Sequence, residues 1–413
     1  MTTTPAQRTA LPATGATSTV SGYPKVIWLL LGGSFLVRAA GFAYPFMSHH
    51  VAGHGHGVHA VGAVLAAFGV GCIAGQIICG WLCDRFGRRI PLVAALTVAA
   101  VVLAALASAH TLPALMVGAA VAGIVYDAPR PVLSAVIGDV IVDPERRARV
   151  EAWRLSWMAN LGAAIAGGLG GLLADKVGTD LLYVVNAAAC AVFAALALIV
   201  MPSDRAAAPN LSAVGYRQAF ADRRLTLLLV STLATMSAFM GLLSVIPMIM
   251  TARGMDAGSY GLVSVANALA VVVCTPLLSP WLVKHTGNRT RLDVLAAAGL
   301  LTAAVMGLAA LSHTTTGFVV AAIAIAPSEV AWFIVAAGVM HHIAPPANRG
   351  RYHGLWGTTL AAAAVVAPTV AAVSLGLGGQ PLVAITTTVI GLIGVAVCRP
   401  LAHAMETVRR QAQ

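Results

Sequence analysis

The chain has 413 residues, of which 59% are hydrophobic and only 9% charged, and its mean hydropathy is +0.87. This composition excludes a soluble domain, because too little polar surface remains to cover a body of that size. The formal charge of +11 would suit a nucleic-acid partner. In a membrane protein, however, basic residues indicate which side of the membrane a loop lies on, so no nucleic-acid binding is predicted.

Apolar runs long enough to cross a bilayer as helices recur twelve times along the chain. Their length and their richness in Ala, Leu, Val and Gly favour helices over a membrane barrel, so the predicted fold is an all-α polytopic membrane protein. The predicted spans are 26–47, 58–82, 90–109, 114–138, 152–174, 181–201, 225–250, 258–283, 292–311, 317–340, 352–376 and 382–402. Residues 1–23 are predicted to be a disordered tail, and residues 403–413 a second tail.

Basic residues fall in alternate loops, whereas the opposite loops hold only Lys176 and Arg253. The positive-inside rule therefore places both termini in the cytoplasm, with the chain in a bacterial-type inner (plasma) membrane. The cytoplasmic set is Arg85, Arg88, Arg89, Arg146, Arg147, Arg149, Arg205, Arg217, Arg223, Arg224, Lys284, Arg289, Arg291, Arg349, Arg351, Arg399, Arg409 and Arg410.

A histidine-rich stretch, "SHHVAGHGHGVHA", lies between spans one and two on the predicted non-cytoplasmic side. Closely spaced imidazoles can bind zinc, nickel or copper or sense external pH. The stretch has no Asp, Glu or Cys, and its glycines indicate flexibility, which favours a solvated loop with incidental metal affinity over a metal-transport site. No metal site is therefore predicted; the histidines are His49, His50, His54, His56 and His59.

The sequence repeats internally, which divides the spans into two six-helix halves. At an offset of 200, "GWLCDRFGRR" (80–89) aligns with "PWLVKHTGNR" (280–289), and at an offset of 202 the next basic loops align. The predicted halves are 24–201 and 225–402, joined by a polar cytoplasmic linker at 202–224. Parallel repeats of this kind are typical of transporters that rock one half against the other around a midplane site.

The segment between spans two and three resembles the G-x-L-x-D-R-x-G-R-R/K signature of the major facilitator superfamily, and the resemblance extends to the twelve-span plan. It implies a conformational switch in which Asp84 latches onto the start of helix eleven, near Tyr352, and Asp139 takes a base of this loop. The alternative is that these charges are positive-inside anchors only. The switch residues implied are Gly80, Asp84, Arg85, Gly87, Arg88, Arg89 and Asp139.

Within that family, "YDAPRPVLSAVIGDVI" followed by "ERRAR" looks most like bacterial drug/proton antiporters. The antiporter signature on helix five ends in Gly-Pro-x-x-Gly-Gly, where this chain has Ala166 and Gly167 before Gly170 and Gly171. Small residues at these positions still allow close helix contact.

Four charged residues lie near the middle of predicted spans, where a charge normally faces a cavity or a partner: Arg38, Asp127, Arg130 and Glu329. Asp127 and Arg130 are three residues apart and can pair within one helix, which keeps Asp127 ionised. Pro129 and Pro131 are expected to kink span four beside them. In the family, helices one, four, seven and ten line the central cavity, so the resemblance places all four charges there.

The offset of 202 makes Glu329 the repeat counterpart of Asp127, with Trp332 at the position of Arg130. Glu329 therefore lacks a cation within a helical turn, and a desolvated carboxylate of this kind can protonate reversibly near neutral pH. We predict that Glu329 carries the coupled proton and that Arg38, Asp127 and Arg130 organise or gate the site. The alternatives are a structural Glu329 and an Arg38 that binds an anionic substrate directly.

The predicted substrate pocket is apolar and adaptable, with Tyr44, Met236, Met240 and Trp332 beside Arg38 and Arg130. The alternative for the Met and aromatic residues is plain packing in the core. No phosphate-binding loop and no HExxH or GxSxG motif occurs, so ATP-driven transport and catalysis are not predicted. The leading prediction is a monomeric secondary transporter without a cofactor, exporting a small amphipathic compound in exchange for protons. Proton-coupled uptake of a metabolite, or a non-transporting sensor on the same fold, is the alternative.

Overall fold

The computed structural model describes residues 19–20, 23–126, 158–201, 220–286, 291–345 and 349–411, together with isolated positions between 132 and 154. A two-residue ribbon pairs Thr19–Val20 with Tyr23–Pro24 at the end of the tail predicted to be disordered; residues 1–18 lie outside the description, as do 202–219 of the predicted linker. The described α-helices are α1 (Lys25–Ala39), α2 (Ala43–Gly53), α3 (Val58–Phe86), α4 (Arg89–Leu106), α5 (Leu112–Tyr126), α6 (Ala159–Val177), α7 (Thr179–Val200), α8 (Arg223–Phe239), α9 (Val245–Ala252), α10 (Ala257–Thr286), α11 (Leu292–Ala310), α12 (Thr315–Ile343) and α13 (Arg349–Gln411).

These helices confirm the prediction of an all-α polytopic membrane protein. Within the described residues, eight helical segments are long and apolar enough to cross a membrane. The last of them, in α13, contains predicted spans eleven and twelve, which are separated by non-helical backbone at Gly379. Large apolar side chains such as Ile199 (78% exposed) and Leu377 (79% exposed) cover the outer surface, as a lipid-facing surface requires.

Spans one and seven were predicted as continuous helices, and this prediction was wrong. The first span breaks at residues 40–42, between α1 and α2. The seventh breaks between α8 and α9, where a short 3-10 turn at Met240–Leu242 intervenes. The two breaks stand about 200 residues apart, which is the repeat offset found in the sequence. Transporters often build their binding sites from discontinuous helices of this kind, because the helix ends expose backbone groups.

The two halves meet on the side of the bundle opposite the chain termini, which we call the distal side. It is the side where α2 ends and α3 begins, where α6 turns into α7, and where α9 turns into α10. The ring of Phe46 in α2 packs edge-on against Tyr260 in α10, with 5.6 Å between ring centroids. Gly376 in α13 lies against the ring of His59 in α3. The structure therefore shows the halves with their distal side closed.

Glycines allow α6 and α10 to approach closely along this contact. A Cβ added to Gly261 of α10 would lie 2.6 Å from the carbonyl oxygen of Gly167 in α6. A Cβ on Gly171 would lie 3.0 Å from the carbonyl oxygen of Ala257. Small residues on α6 were predicted to permit close helix contact; Gly167 and Gly171 contact α10, whereas Gly170 faces Phe46 of α2.

Candidate functional site

A cavity of about 170 Å³ lies inside the first half, next to the break in span one. Its wall includes residues of α1, α3, α4, α5 and α7, among them Phe68, Tyr126 and Asn186. Among the described residues of the wall, the two charged ones are both arginines, Arg38 and Arg154. The described wall is therefore mainly apolar and carries two guanidinium groups, which can bind the anionic group of a small solute.

Arg38 lies in the last turn of α1, immediately before the break. The C-terminal end of a helix carries partial negative charge, which stabilises a cation placed there. The guanidinium donates a hydrogen bond from Nη1 to the hydroxyl oxygen of Tyr126, at 3.0 Å. The aliphatic stem of Arg38 packs on Gly162 of α6, where a Cβ would approach it to 2.9 Å. These contacts hold the side chain at the cavity wall.

Arg154 is a cavity residue that the sequence analysis missed. Its side chain is only 6% exposed, although it carries a full positive charge. It stands two residues inside predicted span five, and the sequence-based prediction assigned it no role. Counting every Arg inside a predicted span, including those near its ends, would have found it.

Glu329 lies on α12, in the second half, two residues after Pro327. The side-chain amide of Asn267 on α10 donates a hydrogen bond to Oε2 of Glu329 at 3.4 Å and another to the carbonyl oxygen of Ala322 at 3.1 Å. Asn267 follows Ser264 by three residues, and Ser264 packs against Gly167 of the first half. The carboxyl group is thus one hydrogen bond away from the helix that forms the distal contact.

The residues predicted to line a shared apolar pocket are placed mainly in the core. Tyr44 stacks on Phe68 with 4.7 Å between ring centroids. Met236 and Trp332 are each 1% exposed and pack within the apolar core, with Met240 partly buried against it. None of these four contributes to the described wall of the cavity around Arg38. Asp127 and Arg130 lie outside the described residues, so their predicted pairing stays a prediction.

The predicted switch segment is described in part. Gly87 adopts a φ of +82°, a left-handed conformation that favours glycine, and so forms the turn between α3 and α4. Arg89 donates a hydrogen bond to the carbonyl oxygen of Leu198 at the end of α7, and Arg85 lies over the ring of Phe86. Gly80 is within α3; the side chain of Asp84 and all of Asp139 lie outside the description.

Asp84 was predicted to dock at the start of helix eleven, near Tyr352. In the structure, Tyr352 makes a hydrogen bond to a different carboxylate. The hydroxyl of Tyr352 donates to Oδ2 of Asp222 at 3.4 Å, and Asp222 caps the start of α8. Tyr352 therefore contacts a carboxylate of its own half in this conformation.

A carboxylate joins the halves on the distal side. Asp175, in the last turn of α6, accepts hydrogen bonds from the backbone nitrogens of Ala257 at 3.1 Å and Gly258 at 2.9 Å. These groups form the N-terminus of α10, which attracts negative charge. Next to them, hydrogen bonds from Ser259 hold the pKa of Asp256 below its ordinary value, so Asp256 is ionised at neutral pH.

We expect Asp175→Ala to loosen the distal contact, because two backbone donors lose their acceptor. A lost helix cap costs about 1 kcal/mol, which corresponds to a roughly fivefold change in population. Hydrogen-exchange mass spectrometry should show several-fold faster exchange at the first turn of α10. Asp293→Ala, which removes an exposed acid from the first turn of α11, is the matched control. Unchanged exchange in Asp175→Ala would contradict a latching role.

The fold and the site together define a secondary transporter: two halves related by the sequence repeat, one broken helix in each half, and a cavity beside the first break. A family model of the Major Facilitator Superfamily matches residues 27–368 and 228–411, so the chain belongs to that superfamily. No curated protein matches the chain in sequence.

Solved structures share the fold at low sequence identity. A peptide transporter in complex with alafosfalin has a TM-score of 0.75 at 16% identity, covering 94% of this chain and 97% of that one. A POT family transporter in complex with 5-aminolevulinic acid has a TM-score of 0.73 at 13% identity, with 93% and 98% covered. A nucleoside transporter has a TM-score of 0.69 at 12% identity, with 92% and 99% covered. Similarity at this level establishes the fold alone.

Proposed function

We propose that the protein is a proton-coupled transporter that takes up a small solute bearing a carboxylate, by alternating access between its halves. The observation that carries the proposal is the presence of two arginines, Arg38 and Arg154, in the wall of one cavity. Burying a charged arginine inside a membrane protein costs free energy, which indicates a functional role. Guanidinium groups bind carboxylates through paired, charge-assisted hydrogen bonds.

The first half holds the substrate in this proposal, and the second half carries the proton. Glu329 is the described acid within α12, and its hydrogen bond from Asn267 links it to α10. Protonation of the carboxylate removes its negative charge and weakens its attraction for the Asn267 amide. A change at Asn267 then reaches the contact between α10 and α6, which has to open for the distal side to admit solute.

The sequence predicted drug export. Uptake agrees better with the solved structures of similar fold. Those structures include transporters of peptides and nucleosides, and one holds 5-aminolevulinic acid, a small molecule with a carboxylate. From the positive-inside rule we infer that the distal side faces the outside of the cell, in a bacterial-type inner membrane with both termini in the cytoplasm. The closed distal side then corresponds to an inward-facing conformation.

Export of an amphipathic compound remains the second candidate, and an aromatic cluster in the second half favours it. Trp332 stacks with Trp356 at 6.4 Å between ring centroids and packs edge-on against Phe333, which in turn contacts Phe239. Trp332 itself is buried, so Phe333 and Trp356, which are partly buried, would contact the apolar body of a compound. A non-transporting sensor is the third reading and requires no solute flux.

Uptake into liposomes separates these functions. The purified protein is reconstituted and tested with alanyl-alanine, 5-aminolevulinic acid, uridine and ethidium, with and without an imposed proton gradient. The proposal expects accumulation of a carboxylate-bearing probe that requires an inward proton gradient. Movement of ethidium in the direction opposite to that of the protons would favour export. If the protein is folded and no probe moves across the membrane, the sensor is favoured.

We expect Arg154→Gln to weaken binding of the carboxylate probe about tenfold or more, because one charge-assisted hydrogen bond contributes about 1.5–3 kcal/mol. The measurement is the KM of uptake together with calorimetric binding in detergent. Arg291→Gln, which removes an arginine paired with Asp293 at the start of α11, is the control and should leave the KM unchanged. Equal KM values for Arg154→Gln and the unmodified protein would remove Arg154 from the substrate site.

A further inference from the structure

Three ionisable side chains from distant parts of the sequence meet on the distal side, within the first half. His50 lies in α2, His54 follows the end of α2, and Asp180 lies in the first turn of α7. The Nδ1 atom of His50 is 3.4 Å from Oδ1 of Asp180, and Nε2 of His54 is 4.0 Å from the same oxygen. One potential ligand atom from each residue lies within 4.8 Å of the other two.

This arrangement corrects the sequence-based interpretation of the histidine stretch as a solvated loop. His49 and His50 belong to α2, and the side chain of His50 is fully buried. The acidic group that the stretch lacks is supplied by α7. Gly178, with a φ of +85°, forms the turn that ends α6 and starts α7, and so brings Asp180 to the end of α2.

Hydrogen bonds to backbone carbonyls determine which nitrogen of each ring bears the proton. Nε2 of His50 lies 3.2 Å from the carbonyl oxygen of Leu106, and Nδ1 of His54 lies 2.8 Å from the carbonyl oxygen of His50. A carbonyl oxygen can only accept, so each of these nitrogens carries a proton and donates it. In the neutral rings, Nδ1 of His50 and Nε2 of His54 therefore each present a lone pair.

Both lone pairs point towards one carboxylate, which is itself an acceptor. The hydroxyl of Thr179 can donate to Nδ1 of His50, at 2.9 Å, but it offers one proton to a cluster with three acceptors. Histidines that bind metals characteristically donate their other ring nitrogen to a backbone carbonyl or carboxylate, which fixes the ring and its tautomer. Both histidines here have that second partner.

We propose that His50, His54 and Asp180 form a binding site for a divalent transition-metal ion, with zinc the best match. Two imidazoles and one carboxylate are a common zinc ligand set, and they leave a fourth position open. Zinc bonds of about 2.0–2.1 Å separate tetrahedral ligand atoms by about 3.3 Å. The observed separations, which reach at most 4.8 Å, need to shorten by up to about 1.5 Å. Asp180, whose side chain is 53% exposed, and His54, which follows the end of α2, can move to achieve this.

Asp180 exposes one side of the site to solvent, since its side chain is 53% exposed, and a further histidine lies beside the site. The ring of His110, at the distal end of α4, lies against that of His54 with 4.6 Å between centroids. The site would therefore join the distal ends of α2 and α7 directly and that of α4 through Leu106. It stands apart from the proposed substrate cavity, so it holds whether or not the proposed transport function is correct.

Zinc binding to the purified full-length protein, prepared with a tag that contains no histidine, tests the site. We expect isothermal titration to show one zinc ion per chain, with a dissociation constant at least about tenfold weaker in His54→Ala and in Asp180→Asn. His56→Ala is the matched control, since His56 belongs to the same stretch but bonds the backbone of His110. Its binding should equal that of the unmodified protein.

Absence of saturable zinc binding, or equal weakening in all three variants, would overturn the proposal in favour of a hydrogen-bonded histidine cluster. X-ray absorption at the zinc edge provides a readout on the unmodified protein, which does not depend on any variant folding. The expected spectrum indicates a zinc ion coordinated by two imidazole nitrogens and by oxygen ligands. A spectrum with only oxygen ligands would contradict the site.

Discussion

Glu329→Gln is expected to abolish proton-driven accumulation of solute while leaving the protein folded. Glutamine preserves the size of the side chain and can still bond to Asn267, but it cannot take up a proton. Gradient-driven accumulation should fall at least about tenfold, whereas exchange of solute across liposomes without a gradient should persist. Loss of coupling with retained exchange separates a proton carrier from a residue that is needed only for structure.

Glu329→Asp is the matched control for this result, because it retains a carboxylate at the same position and should retain part of the accumulation. A readout without substrate is the infrared band of a protonated carboxylic acid, followed while the pH is raised. In the unmodified protein this band should contain a contribution that is missing in Glu329→Gln. Undiminished coupling in folded Glu329→Gln would sink the proposed role of this residue.

The fold could be predicted from the sequence because the bilayer imposes a strong and simple constraint. Apolar runs of about 20 residues have few alternatives to membrane-spanning helices, and the repeat at 80–89 and 280–289 fixes their division into halves. The breaks at residues 40–42 and 240–244 could not be found in this way. They occur in apolar sequence, and hydropathy does not distinguish a helix from a turn buried among other helices.

The residues of the candidate site were predictable where the free-energy cost of burying a charge in an apolar span was enough to identify them. Arg38 and Glu329 stand within apolar spans, so burial of a charge was enough to single them out. The cluster of His50, His54 and Asp180 was not predictable, because its acid comes from a separate helix and depends on the turn at Gly178. Sequence spacing records neighbours along one element, whereas this cluster is a product of packing between α2 and α7.

The glycine contact between α6 and α10 explains why the halves can close on the distal side, and it can be tested by adding bulk. In Gly261→Val, the Cβ would lie 2.6 Å from the carbonyl oxygen of Gly167, well inside normal contact distance. Backbone atoms cannot move aside as a flexible side chain can. Overpacking of this kind costs about 1–3 kcal/mol, which changes a population by about fivefold to more than a hundredfold.

Gly261→Val should therefore shift the protein away from the distal-closed conformation and slow gradient-driven uptake at least about fivefold. Ser264 packs against Gly167, so a thiol introduced by Ser264→Cys reports the change when it is challenged with a membrane-impermeant maleimide. The introduced thiol should be protected in Ser264→Cys alone and labelled rapidly when Gly261→Val is added. Gly32→Val, which places the same side chain on the exposed surface of α1 with no atom within 4 Å, should leave both measurements unchanged. If the thiol stays protected in the presence of Gly261→Val, the α6–α10 contact does not control closure, and the distal side must be held by the contacts of α2 and α3 instead.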